Sequence, residues 1–253
     1  MPANISKMVI ASSPSKPERA IRPDADEPAL PPGGALDEGR LPPEALLNVV
    51  EHPIAQHALT MLRNKHTPTK AFRLFSDQLV VLLTLEATRS LPVREETIET
   101  PLEKHAGRIL GKPVVFLSLT RRGLGLAHRV SDFIPEVVVG SVSLEHTGDA
   151  HRLTPRLHLS NAPALGDARV ILFDPVVGTG YSASVALHRI RTSGATDISL
   201  LSFLITPPGL ERVQAAVPGL KVWTTAIERE LDLKKGPLPG LGNFSERLYG
   251  SNP

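Results

Sequence analysis

Apolar residues along this chain recur in two rhythms, and the rhythms alternate. Between Lys70 and Ser90, Phe72, Leu79, Leu82, Leu83 and Ala87 fall largely at three- and four-residue steps. That spacing predicts a helix with one buried stripe, closed by Pro92. A shorter helix is expected over Gln56 to Asn64, with Ala58, Leu59 and Leu62 on one side. Glu96 to Thr100 and Leu102 to Ile109 are mixed and predict a small β-ribbon or arm. From Val114 onward, short β-prone runs take over: Val114 to Leu119, Val137 to Val142, Val170 to Phe173, Ile198 to Ile205 and Val222 to Ala226, with a weaker one at Arg156 to Leu159. Helical patterns separate them: one reaching about Phe133, Ser184 to Thr192 closed by Gly194, and Pro207 to Val217 with prolines in its first turn. The end, Lys234 to Pro253, is rich in Gly and Pro and reads as loop. Strands alternating with helices predict an α/β fold, a mostly parallel sheet flanked by helices. Such sheets bind ligands at the C-terminal edges of their strands.

Residues 1–47 break from this rhythm. They hold nine of the chain's 24 prolines and no aromatic residue. A segment of that kind cannot bury enough surface to offset its ordering entropy. The expected organisation is a disordered tail over 1–47 and one folded domain over 48–253. Cysteine is absent from the 253 residues, which excludes disulfides and thiolate metal sites. The formal net charge of +2 gives no nucleic-acid footprint. No run reaches the roughly 18 apolar residues of a membrane helix. A cytoplasmic protein with neither a membrane nor a nucleic-acid partner is the expectation. The nine histidines show no ligand spacing, so no resident metal site is predicted.

Composition leaves the chemistry open, and two strand-to-helix junctions narrow it. The run Val170 to Phe173 ends in Asp174, and a small-residue loop follows: Pro175, Val176, Val177, Gly178, Thr179, Gly180, Tyr181, Ser182. Strand, acid, glycine loop and helix start make a phosphate pocket, because backbone N–H groups and the helix dipole face an anion there. The bland alternative is an ordinary turn with a serine cap at Ser182. A P-loop is excluded, since no lysine follows Gly180, and a serine-hydrolase elbow lacks its second glycine. The other junction is Arg121-Arg-Gly-Leu-Gly125. Its third dinucleotide glycine would fall on His128, so that fingerprint is broken. Arg121 suits bidentate phosphate binding. Asp174 could accept from sugar hydroxyls or hold a hydrated Mg²⁺. A third glycine-rich segment, Pro239-Gly-Leu-Gly-Asn-Phe-Ser-Glu-Arg-Leu-Tyr-Gly250, offers free backbone groups able to read a flat heterocycle.

These residues, with others in the same order, resemble the uracil phosphoribosyltransferases from His52 to Gly250. His52-Pro-Ile is similar to the family's H-P-L, Thr69-Lys-Ala-Phe-Arg73 to T-x-x-F-R, and Glu86-Ala-Thr-Arg89 to E-A-T-R/A. Arg121-Arg-Gly-Leu-Gly125 resembles R-A-G-L-G. Asp174 to Ser182 resembles D-P-M-L-A-T-G-G-S, and Pro239 to Gly250 resembles P-G-L-G-D-A-G-D-R-L-F-G. The resemblance implies a phosphoribosyltransferase-like fold and transfer of ribose 5-phosphate from phosphoribosyl pyrophosphate to uracil, giving UMP and pyrophosphate. It implies that Arg121 grips the pyrophosphate and Asp174 faces the ribose hydroxyls, these two being the catalytic residues. It implies that Pro175 to Ser182, with Asn243, hold phosphoribosyl pyrophosphate, and that Leu238, Gly242, Asn243 and Phe244 meet the base. Mg²⁺ would arrive on the pyrophosphate, and the assembly would be a homodimer or larger homo-oligomer.

The chain also departs from the pattern. The family's second phosphate-binding arginine falls on Leu144-Glu145, with Arg152 or His151 as substitutes in a longer loop. Asn243-Phe244 stands for Asp-Ala, and Gly180-Tyr181 for Gly-Gly. Three readings therefore stand: a uracil enzyme, a relative acting on another heterocycle or in a specialised pathway, and a non-catalytic ligand-binding or regulatory protein on the same scaffold.

Overall fold

The computed structural model describes residues 46–119, 123–146, 153–232, 234 and 236–250. Residues 1–45 of the expected tail, together with Arg121, His151 and Arg152, lie outside the described residues. The first described element is strand β1 (Leu46–Val49), which starts two residues ahead of the expected boundary.

The chain continues as α1 (Pro53–Arg63), α2 (Thr69–Thr88), β2 (Val93–Glu99), β3 (Lys104–Leu110), β4 (Val114–Leu119), α3 (Leu124–Phe133), β5 (Val138–His146) and β6 (Leu153–His158). Then come β7 (Arg169–Phe173), β8 (Val176–Val177), α4 (Tyr181–Thr192), β9 (Asp197–Ile205), α5 (Pro207–Ala216) and β10 (Lys221–Ile227). A hairpin of β11 (Glu230–Asp232) and β12 (Gly236–Leu238) leads to α6 (Phe244–Tyr249). The last segment is thus not the loop its glycine content suggested. Asn243 starts α6, its side chain accepting from the Glu246 N–H at 3.3 Å, and Gly250 closes it in the left-handed region at φ 71°. An N-cap and a C-terminal glycine about two turns apart define a helix that a composition count cannot see.

The main sheet runs β1-β10-β9-β7-β4-β5-β6, with β8 also on β9. Its pairs are parallel except β5 with β6. Alternation along each strand feeds two cores. Val114, Phe116, Ile171 and Phe173 face α1, α2 and α3. Val115, Leu117, Leu119, Val170 and Leu172 face α4 and α5. β2 and β3 form the expected arm, a separate antiparallel ribbon whose β2 is exposed throughout.

The sheet changes direction between β4 and β7. From β4 the chain moves outward through β5 and β6, and from β7 it moves the other way through β9 and β10. The loops after Leu119 and after Phe173 therefore leave neighbouring strands at the switch point, where crevices open in such sheets. At the opposite edge, Arg169 is 5% exposed and donates to Asp197 Oδ2 at 3.0 Å, the Ala87 carbonyl and Ser90. Burial would raise the Asp197 carboxyl, but hydrogen bonds from Lys112 and Arg169 outweigh it and hold the group below its usual range. This ionic bolt fixes the strand starts and leaves the other edge for chemistry.

Candidate active site

The expected phosphate loop, Asp174 to Ser182, owes its shape to two glycines. Gly180 precedes α4 at φ 70°, and no side chain caps the helix. The serine-cap alternative is thereby excluded, and the Tyr181 N–H at the start of α4 donates instead to Thr179 Oγ1 at 3.4 Å. A Cβ on Gly180 would come within 2.6 Å of the Gly209 carbonyl, and one on Gly209 would overlap the Gly178 carbonyl. The loop thus lies backbone-to-backbone on the first turn of α5. Thr206 caps that turn, accepting from the Gly209 N–H at 3.2 Å and donating to the Gly178 carbonyl at 2.6 Å. Arg212 adds a bond to the Thr179 carbonyl at 3.2 Å. Pro175 and Val177 are buried and Thr179 is exposed, while Val176, Tyr181 and Ser182 are half-buried.

Asp174 sits at the end of β7, half-buried, its N–H bonded to the Leu201 carbonyl at 3.0 Å. Burial pushes its carboxyl up to about 7, and a hydrogen bond from the Val176 backbone opposes this only in part. The group is poised to change charge near neutrality, as groups in functional clefts often are.

The base loop reaches the same place from the other end of the chain. A Cβ on Gly178 would stand 3.5 Å from Leu231 and 3.8 Å from Pro237, so the phosphate loop abuts the hairpin that delivers Leu238. Leu238 is half-buried, and its carbonyl accepts from the Arg229 N–H at 3.1 Å. Gly242 and Asn243 are exposed. The Phe244 ring turns into the core, 5.4 Å from Phe72 and 5.8 Å from Phe203, which in turn lies 5.3 Å from Phe173 under Asp174. Phe244 is half-buried, its ring packed against this cluster. Asn243 is engaged with Glu246, donating to its carboxylate at 2.6 Å.

Glu145 lies in β5 and pairs with Arg156 of β6 at 2.7 Å, both half-exposed. The cation beside it is thus Arg156, which sequence reasoning did not weigh. Gly123 begins α3 against Ser118, so the Arg121 segment joins two well-packed elements. Among the described residues, no group of three His, Cys, Asp or Glu side chains could hold a metal. The available donors, the Asp174 carboxylate and the hydroxyls of Thr179 and Ser182, are hard oxygens. They fit a hydrated Mg²⁺ that brings phosphate ligands with it.

Sequence reasoning missed a set of ionic residues behind the base loop. Glu228 is 1% exposed, and half-buried Arg63 and Arg247 bond the carbonyls of Gly240 and Leu241. Glu228 carried one signal: like Asp174, it is an acid just past a parallel strand. Arg63 carried none.

Comparison with known proteins matches this architecture. The family model described as uracil phosphoribosyltransferase matches residues 49–251. A uracil phosphoribosyltransferase of Mesorhizobium japonicum is 38% identical over 207 residues, covering 81% of this chain and 98% of the relative. One from Bradyrhizobium diazoefficiens is 35% identical over the same length and the same shares. Among solved structures, the AQ2163 protein of Aquifex aeolicus superposes with a TM-score of 0.72 at 23% identity, covering 81% of this chain and 99% of that one, a likeness of fold. Coverage of both glycine loops and of the sheet between them decides the matter: this chain belongs to the uracil phosphoribosyltransferase family.

Proposed function

We propose that this protein transfers ribose 5-phosphate from phosphoribosyl pyrophosphate to uracil, forming UMP and pyrophosphate. The observation that carries the reading is the abutment of the phosphate loop, at Gly178, on the Leu231–Pro237 hairpin that delivers the base loop. One ligand carrying a 5′-phosphate and one flat base can be held side by side there. In the reaction the bond from ribose C1 to the pyrophosphate oxygen breaks, and its electron pair leaves with pyrophosphate. A ring nitrogen of the base bonds to C1 and gives up its proton. Little covalent help is needed, so positioning and electrostatics carry the rate.

The backbone N–H groups from Val177 to Ser182 hold the 5′-phosphate at the start of α4. Ionised Asp174 accepts hydrogen bonds from the ribose hydroxyls and offers negative charge to the oxocarbenium-like state. Arg121 grips the pyrophosphate. Gly242, Asn243 and the Phe244 backbone read the base edge beside Leu238. The Asp174 carboxylate and the Thr179 and Ser182 hydroxyls would hold a Mg²⁺ carried in on phosphoribosyl pyrophosphate, which would supply charge neutralisation for the leaving group. The exposed β2–β3 ribbon, with Val93, Ile98 and Leu110 all outward, is the contact through which copies associate, in the cytoplasm. Light scattering of the purified chain tests that assembly.

Purified protein incubated with phosphoribosyl pyrophosphate, Mg²⁺ and uracil is expected to release pyrophosphate and form UMP in equal amounts. Release only with another heterocycle would move the substrate. No release with any base would overturn the assignment.

A further inference from the structure

Behind the base loop lies a side-chain arrangement that the transfer reaction does not itself require. Gly240 sits between Pro239 and Leu241 at φ 68°, and a Cβ there would run into the Pro237 carbonyl. Both of its backbone groups are taken by one ion pair. Glu228 Oε2 accepts the Gly240 N–H at 3.0 Å, and Arg63 Nη1 donates to the Gly240 carbonyl at 3.2 Å. Arg63 Nη2 meets Glu228 Oε1 at 2.6 Å and closes the ring. Glu228 is buried, so each of its oxygens has a fixed partner. It hangs from the end of β10, where its own N–H donates to the Ile205 carbonyl at 2.7 Å. Arg63 stands in the last turn of α1. Side chains from α1 and from the end of β10 thus converge on the backbone of one residue, two positions before Gly242.

We propose that Arg63 and Glu228 are positioning residues for base recognition: they set where Gly242 and Asn243 present their backbone to the pyrimidine. This rests on the base-site reading above. A buried, hydrogen-bonded ion pair is a poor source of net stability, since an apolar replacement can serve as well. It is a good source of geometry, because a guanidinium fork and a carboxylate fix two directions at once. The phosphate loop is held by other contacts, so loosening Gly240 weakens the base half of the site alone.

The test compares the full-length protein with Glu228→Ala and Arg63→Lys. In steady-state kinetics, Glu228→Ala raises KM for uracil about tenfold, the scale of losing a partner for a buried polar group, and leaves KM for phosphoribosyl pyrophosphate within about twofold. Arg63→Lys keeps the charge but not the fork, and raises KM for uracil about threefold. Amide hydrogen exchange supplies a readout independent of turnover. The 236–243 peptide exchanges faster in both variants while the peptides of β7 and β9 are unchanged. If the wild type fails to use uracil but the 236–243 peptide still loosens selectively, the base assignment falls and the positioning stands. Equal rises in both KM values, or exchange accelerated across the sheet, would reduce the pair to a general structural element. An unchanged KM for uracil in a folded Arg63→Lys, whatever the fate of Glu228→Ala, would overturn the proposal.

Discussion

The two loops of the site are held by opposite means. The phosphate loop is fixed by what is missing: Gly180 and Gly209 have no side chains, so backbone lies on backbone, with Thr206 and Arg212 securing the edges. The base loop is fixed by what is present. Glu228, Arg63 and Arg247 reach in from the end of β10, from α1 and from α6 and bond the backbone of Gly240 and Leu241. A phosphate group is the same in every substrate of such an enzyme, and a tight, featureless cradle suits it. A base edge must be told from its analogues, and a loop set by adjustable side chains can be tuned without disturbing the sheet.

The largest blow to the first half should come from Gly180→Ala. It forces a left-handed residue to carry a Cβ against the Gly209 carbonyl, and misplacing a positioning loop costs on the order of 100-fold in kcat/KM. Kinetics with varied phosphoribosyl pyrophosphate should show the loss, with KM for uracil far less affected.

The matching blow to the second half is Arg247→Ala. Its guanidinium bonds the Leu241 carbonyl at 2.8 Å, the Asn64 carbonyl at 2.6 Å and the Leu62 carbonyl, and lies 4.4 Å from the centre of the Phe72 ring. Losing these contacts should cost about 2–4 kcal/mol of stability, read as a lower urea midpoint.

Asp174 sharpens the comparison through pH. Its carboxyl titrates near 7, so kcat/KM for phosphoribosyl pyrophosphate should fall as pH drops through that value, and Asp174→Asn should abolish the limb together with most activity. The effect on stability has the opposite sense. A folded-state value raised above the ordinary 3.8 means that the folded chain holds the proton longer, so stability is lost as pH rises from about 4 to about 7. Asp174→Asn should remove that loss and gain about 1–3 kcal/mol at pH 8, measured by denaturant titration at two pH values.

The smallest effect belongs to a contact outside both halves. Breaking the exposed Glu145–Arg156 pair with Arg156→Ala should change stability by no more than about 0.5 kcal/mol.

The parallel sheet was legible because its strands are apolar on both faces and stand out against polar loops. The stripe of α2 was legible for the same reason: Phe72, Leu79 and Leu83 sit on one side of a helix. The phosphate loop could be read because its signal is local, an acid and two glycines within seven residues. β1 and α6 could not. β1 is a short edge strand with two of its four residues exposed, and α6 is six residues long inside a glycine-rich run. Glu228 and Arg63 were invisible for a different reason. They stand 165 positions apart, and nothing in either neighbourhood predicts a partner at that distance.

The close approach of Gly180 to Gly209 has a consequence for how this sequence can drift. Neither position tolerates a side chain while the other keeps its backbone where it is, although 28 residues and a whole strand separate them. A lineage that loses one glycine must move the loop, and a moved loop releases the constraint on the other. The two should persist together in every descendant that still holds the phosphate and disappear together in any that has given it up. A pair of glycines thus works as a record of whether the site is in use.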